Sequence, residues 1–207
     1  MEQLWVAVAE VVWQTPAMRN VILLFLAFLC GCSTLRPPDP AATAKADAEF
    51  NQLADEFLTG YLAWRPGLGV ALGLHEYDGR ITDYSGASLS LEHARLRGFE
   101  VRLANFPAKH LSARASHGFR LLRSTVRKQL FRFDDLRSFT HNPMTYAGAM
   151  DVNIYVKRDF APLEERVRSI IAILEQAPAT FAAAKANLVE SLPKPFIETA
   201  IDRKSVV

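Results

Sequence analysis

Cysteine is almost absent from this sequence: the 207 residues hold two, Cys30 and Cys32, and none follows them. That excludes a disulfide framework and a cysteine-ligated zinc site in everything downstream. Neither sign of charge dominates. With 24 Lys and Arg against 22 Asp and Glu the formal net charge is +2, so the chain as a whole does not call for a polyanionic partner. No window shows the alternation of apolar and polar residues that marks a strand. No G-x-S-x-G elbow, phosphate-binding P-loop or dinucleotide fingerprint occurs. Five histidines, at 75, 93, 110, 117 and 141, offer no pair at helical ligand spacing. His75-Glu76 opens like H-E-x-x-H, but Gly79 stands where the second histidine must be. As a metal site this stretch fails.

What is present begins with a targeting segment. Val21 to Leu29 reads V-I-L-L-F-L-A-F-L, preceded by Met18-Arg19-Asn20. This is a short positive region and an apolar run of signal-peptide length, shorter than the ~20 residues a transmembrane helix needs. The run ends in Leu29-Cys30-Gly31-Cys32, which resembles a lipobox. Cys32 has the small residue before it and the branched apolar residue three places back; Cys30 has Leu29 as its immediate neighbour. Cys32 is therefore the expected lipid-attachment residue, and membrane lipid the expected partner. Ser33 after it, in place of Asp, directs the expectation to the outer membrane, facing the periplasm. Residues 1–17 carry Glu2 and Glu10 and no Lys or Arg, so translation is expected to start at Met18. The alternative is a signal anchor or an amphipathic amino-terminal helix. The expected organisation is a signal peptide over 1–31, an extended Pro/Ala-rich tether over 32–46 and a helical domain over 47–201.

From Asp47 the apolar period becomes helical. Phe50, Leu53, Ala54, Phe57, Leu58, Tyr61 and Leu62 share one face, and Pro66-Gly67 ends it. A second helix is expected to be capped by Ser88 or Ser90 and to end before Pro107. Ser112 caps a third, with Phe119, Leu122, Val126, Leu130 and Phe133 as its stripe. His141-Asn142-Pro143 opens a fourth, running to about Tyr155. A fifth starts at Ala161-Pro162-Leu163-Glu164-Glu165, proline and acids where a first turn takes them best, with Val167, Ile170, Ile171 and Leu174 as its apolar face. Pro178 precedes a sixth with Phe181, Leu188 and Val189, and another helix starts after Pro195. The expected fold is all-α, an antiparallel helical array that is the incomplete amino-terminal part of a larger helical protein.

Two polar regions stand out. His75, Glu76, Tyr77, Asp78, Arg80 and Asp83 concentrate in a loop rich in Gly and Asp. One reading is the lining of a substrate cleft; the other, which turn chemistry favours, is a turn in which Asp-Gly supplies positive φ and Asp83 or Ser85 caps local backbone. Arg114, Arg120, Arg123, Arg127, Lys128, Arg132 and Arg137 form a basic region lying mostly opposite the apolar stripe of the third helix. A solvated face explains it, and no nucleic-acid partner is expected.

Four segments carry a resemblance. They are Gly73-Leu74-His75-Glu76-Tyr77-Asp78-Gly79-Arg80 followed by Asp83, Asn142-Pro143 with Tyr146, Arg158-Asp159-Phe160-Ala161-Pro162 with Glu165-Arg166, and Ala184-Lys185-Ala186-Asn187-Leu188. In order and spacing, over roughly Phe50 to Ile201, they resemble the amino-terminal part of the bacterial domain-of-unknown-function family 885. The resemblance implies a mostly helical exported protein, similar in outline to zinc metallopeptidases of the H-E-x-x-H type, whose zinc motif lies well toward the carboxyl end. No catalytic residue, metal ligand or cofactor carries over to these residues by position; zinc and a peptide substrate are expectations for the longer protein. The last residues, Asp202-Arg203-Lys204-Ser205-Val206-Val207, equal the translation of one frame of a common sequencing adapter. Residues 202–207 are therefore expected to be a non-native tail, the alternative being a genuine short basic end. Two functions remain open: the catalytically incomplete amino-terminal part of a lipid-anchored, peptidase-like hydrolase, or a non-enzymatic helical envelope lipoprotein that binds a protein or peptide.

Overall fold

The computed structural model describes residues 39–204; the expected signal peptide, the Met18 start, the lipid site Cys32 and the end of the expected tail lie outside them. The fold is all-α, with no strand among the described residues. Its first helix, α1 (Pro40–Trp64), starts earlier than the sequence period suggests. Residues 40–46, expected as tether, are its first turns. The reason is local: Pro40 suits a first turn, the Ala-rich run that follows is strongly helix-forming, and Ala46 is already buried. Burial continues at Phe50, Leu53 and Phe57. Arg65 leaves helical geometry (φ −122°, ψ 62°) because Pro66 follows it, and Pro66 then opens the short α2 (Pro66–Ala71).

Helix α3 (Gly86–Ala104) is capped by Ser85, whose Oγ accepts from Ser88 N at 3.2 Å. This corrects the expected cap at Ser88 or Ser90. Asp83 accepts from both Ser85 N (2.8 Å) and Ser85 Oγ (3.0 Å), so the chain turns one step earlier, and Ser88 Oγ instead accepts from Trp64 Nε1. Helix α4 (Ala113–Asp134) is capped by Ser112, as its sequence predicts. Cross-helix bonds set the directions. Trp64 meets Ser88 while Glu56 meets Arg102, so α3 is antiparallel to α1; Asp47 meets Ser112 while Tyr61 meets Gln129, so α1 and α4 run parallel. Between them lies the main core, in which Phe57, Leu96 and Val126 are essentially inaccessible. Each such side chain contributes about 1.5–3 kcal/mol of burial free energy.

A polar hub crosses this core. Arg65 donates to Glu92 Oε1 on α3 (2.8 Å) and to Gln129 Oε1 on α4 (2.9 Å), and Arg95 donates to both Glu92 oxygens. The Glu92 side chain is 1% exposed. The α3 and α4 stripes therefore include a charge and an amide that periodicity alone assigns to apolar neighbours.

The expected fourth helix from 141 to about 155 is broken into α5 (Ser138–His141), α6 (Met144–Ala147) and α7 (Asn153–Lys157). Side chains compete with the helix there: Asn142 Oδ1 accepts from Met144 N and Asp151 Oδ1 from Asn153 N, making new starts. Helix α8 (Leu163–Glu175) begins after Pro162 as expected, but it buries a different face. Ile173 is buried and Ile170 partly so, whereas Val167, Ile171 and Leu174 are 40%, 50% and 47% exposed. The neighbours decide this: the loop at Gly79 and the hydroxyl of Tyr155 lie on the Ser169–Ala172–Ile173 side. Helix α9 (Ala177–Asn187) buries Thr180 and Ala184 in place of the expected Leu188 and Val189, because Leu188 is already extended. Helix α10 (Lys194–Lys204) follows where Pro195 predicts it, and runs through Asp202.

Candidate functional site

The loop between α2 and α3 is built around two glycines with positive φ, Gly73 (84°) and Gly79 (73°). Between them His75–Tyr77 form a single tight turn. Tyr77 folds back over Gly69, where a Cβ would come within 2.5 Å of its ring, and joins a second core with Val70, Tyr155 and Ile173. Packing of Tyr77 inward leaves His75 and Asp78 on the outer side of the turn. His75 Nδ1 lies 3.1 Å from Asp78 Oδ2, and its ring stacks on Phe160 with centroids 4.1 Å apart. The other carboxylate oxygen, Asp78 Oδ1, accepts from the Tyr155 hydroxyl at 3.2 Å. That hydroxyl accepts in turn from Gly79 N at 3.2 Å, and Gly79 O accepts from Nε2 of Gln176, the residue that caps the end of α8.

The chain hydroxyl–carboxylate–imidazole is therefore anchored at one end in the core. The His75 side chain is 45% exposed and that of Asp78 19%. With its proton on Nδ1 toward Asp78, His75 presents Nε2 as the basic nitrogen. Burial pushes the Tyr155 hydroxyl pKa up, which keeps it a neutral donor to Asp78. Arg166 fixes the strand of backbone carrying Tyr155 and Phe160: it donates to Tyr155 O (2.8 Å), Ala161 O (3.0 Å) and Asp159 Oδ1 (2.7 Å).

Beside this cluster lies a cavity of about 210 Å³, bordered by Arg65, Arg80, Thr82, Tyr84, Asp151 and Tyr155, with Val70, Ile154 and Ile173 supplying apolar wall. Burial pulls the Arg65 guanidinium below its ordinary range, against its pairing with Glu92. Burial also raises Tyr84, while the positive charges of Arg132 and Arg65 pull the other way. Among the described residues, Arg80 makes no ion pair.

Of the loop residues singled out in the sequence, His75 and Asp78 come together, and Arg80 borders the cavity. Tyr77 is core, and Glu76 is exposed on the turn. Asp83 holds Ser85 at the start of α3, which is the turn chemistry that its spacing suggests. Sequence reasoning missed Tyr155, Phe160, Arg65 and Tyr84 as site residues. Tyr155 lies 77 positions from Asp78, and no local pattern signals that pairing. On α4, Arg114, Arg120, Arg123, Arg127 and Lys128 are exposed, a solvated face. Among the described residues no group of three or more His, Cys, Asp or Glu is placed to hold a metal ion. None of the described helices is long and apolar enough to cross a membrane.

A family model described as "bacterial protein of unknown function", DUF885, matches residues 66–206, which include the whole loop and the cavity wall from Gly67 onward. This chain belongs to the DUF885 family. A solved structure, described as that of a candidate lipoprotein of unknown function from Shewanella oneidensis, shares the fold with a TM-score of 0.67 at 23% identity. The alignment covers 76% of this DUF885 chain and 29% of the other, so the chain spans less than a third of that protein's length. No curated protein matches the chain.

Proposed function

We propose that this DUF885 chain is the amino-terminal, substrate-facing wall of a lipid-anchored envelope hydrolase of peptidase type. The observation that carries the proposal is the Tyr155–Asp78–His75 chain, whose core member Tyr155 also borders the cavity. A surface turn does not need a core tyrosine to hold its carboxylate. A wall that orients an imidazole toward a substrate does. The lipobox at Cys32 supports the envelope address, and so does the description of the Shewanella oneidensis neighbour as a candidate lipoprotein. Outer-membrane placement facing the periplasm rests on Ser33.

Zinc, which the family resemblance implies for the longer protein, finds no ligand group among the described residues. The role assigned here is accordingly positional: His75 Nε2 accepts a hydrogen bond from substrate, Phe160 and Asp78 fix the ring, and the cavity takes a neighbouring group. Two measurements test this. Genomic sequence beyond codon 201 is expected to continue in frame to an H-E-x-x-H motif, and the longer protein to cleave peptides. In that protein His75→Ala is expected to raise KM more than it lowers kcat. A stop codon in place of Asp202, with no peptide cleavage, refutes the hydrolase. Metabolic labelling with palmitate should mark the protein, and Cys32→Ser should abolish the label and release the protein from membranes.

One observation favours a second reading, a non-enzymatic envelope lipoprotein that binds a protein or peptide. The exposed stripe Val167, Ile171 and Leu174 on α8, with Leu163 66% exposed on the same side, is the kind of apolar surface a partner covers. Retention of a peptide without turnover would select it.

A further inference from the structure

We infer that the cavity beside the His75 loop is a carboxylate-binding site, sized for one apolar residue and bearing Arg80 as its free cation. The argument starts from charge. Glu92 is shared by Arg65 and Arg95, with contacts of 2.8 Å and 2.7 Å, so the trio, in which Glu92 is buried and the Arg95 side chain is 24% exposed, carries one positive charge more than Glu92 neutralises. A surplus charge partly screened from water is stabilised by a nearby anion. Arg65, the member of the trio that borders the cavity, is 11% exposed. Its positive charge and that of Arg132 both act on the Tyr84 hydroxyl, which also lines the cavity.

Arg80 adds a second cation on the wall. It is exposed, and its guanidinium makes no ion pair with another described residue. Arg65 has both terminal nitrogens engaged, by Glu92 and Gln129, so it contributes field; Arg80 has the donors free for a two-pronged bond to a carboxylate. The one acid on the wall, Asp151, is exposed and keeps its charge, its Oδ1 held by Asn153, from whose backbone N and Nδ2 it accepts at 2.9 and 2.7 Å. Thr82 and Tyr84 also line the cavity, their side chains bonded to each other.

The rest of the lining is apolar, with Val70, Ile154 and Ile173 facing the same space. A volume of about 210 Å³ is enough for one aliphatic side chain. An amphipathic anion of that size has its carboxylate at Arg80 and its side chain against the isoleucines. Resting on the peptide-facing reading above, this anion is the free carboxyl end of a peptide whose last residue is apolar.

The test uses the 207-residue chain in detergent and isothermal titration calorimetry. N-acetyl-leucine is expected to bind, and N-acetyl-leucinamide, which lacks the charge, at least tenfold more weakly. Arg80→Gln, at an exposed position whose loss leaves the far-ultraviolet circular dichroism unchanged, should weaken N-acetyl-leucine at least tenfold, and Arg80→Lys should restore part of it. Free leucine should bind like N-acetyl-leucine; a preference for it by more than tenfold would move recognition to the ammonium and overturn the assignment to a carboxylate. Equal binding of the amide, no binding at millimolar ligand, or an unaffected Arg80→Gln variant overturns it as well. Carboxylate binding in a longer protein that never cleaves peptide would retain this site and remove the hydrolase reading instead.

Discussion

The hydroxyl of Tyr155 donates to Asp78 Oδ1 at 3.2 Å and accepts from Gly79 N at the same distance, tying α7 to a loop 77 positions earlier. The tyrosine is 2% exposed, so its hydroxyl reaches the loop from within the core.

Tyr155→Phe should therefore leave the Gly79 amide without its partner and Asp78 with one bond fewer. We expect a loss of about 1–3 kcal/mol in urea denaturation, the range for an unsatisfied buried group.

The two left-handed glycines of the loop separate conformation from packing. Gly73→Ala meets nothing within 4 Å and should cost about 1–2 kcal/mol for its φ alone. Gly79→Ala has the same conformational cost, and its Cβ also lies 3.2 Å from Ala172 Cβ on α8. The second variant should be the less stable in thermal unfolding; equal losses would mean that α8 yields at no cost.

Removal of Glu92 should be among the most damaging single changes. Glu92→Ala strands Arg65 and Arg95 together, and a loss of about 3–5 kcal/mol is expected. The double change Arg65→Met with Glu92→Leu should recover much of it, which chemical denaturation of both variants would measure.

Stability should fall in alkali. Burial raises the hydroxyl pKa of Tyr84, Tyr146 and Tyr155 in the fold. The folded chain holds these protons more tightly than the unfolded chain, so their contribution is complete below about pH 10 and is lost as pH rises through the folded values. Tyr84→Phe should flatten the decline in melting temperature measured between pH 9.5 and 11.5.

On α8, Ile171→Lys should leave unfolding free energy within about 0.5 kcal/mol, since the side chain is 50% exposed, yet reduce aggregation measured by light scattering.

What was legible in the sequence was whatever depends on near neighbours. Helical period, the Ser112 cap, the break before Pro66 and the Asp83-to-Ser85 turn are local matters of dihedral angle and hydrogen-bond reach, and each stands as read. The length of α1 was misjudged only because Pro and Ala fit both a tether and a first turn. Beyond that range the pattern is silent. Periodicity states that α8 has apolar residues, but both sides of that helix carry them, and only the arrival of Gly79 and Tyr155 selected Ile173 over Ile171. The break of the 141–155 segment arose where Asn142 and Asp151 side chains competed with helical bonding. The site shows the same division. The sequence placed His75 and Asp78 three positions apart and so within reach of each other. The core tyrosine that steadies them comes from packing with Val70 and Ile173 in the second core, and the Glu92 shared by Arg65 and Arg95 from helices brought together by burial of Phe57, Leu96 and Val126, because tertiary packing sets which distant residues meet.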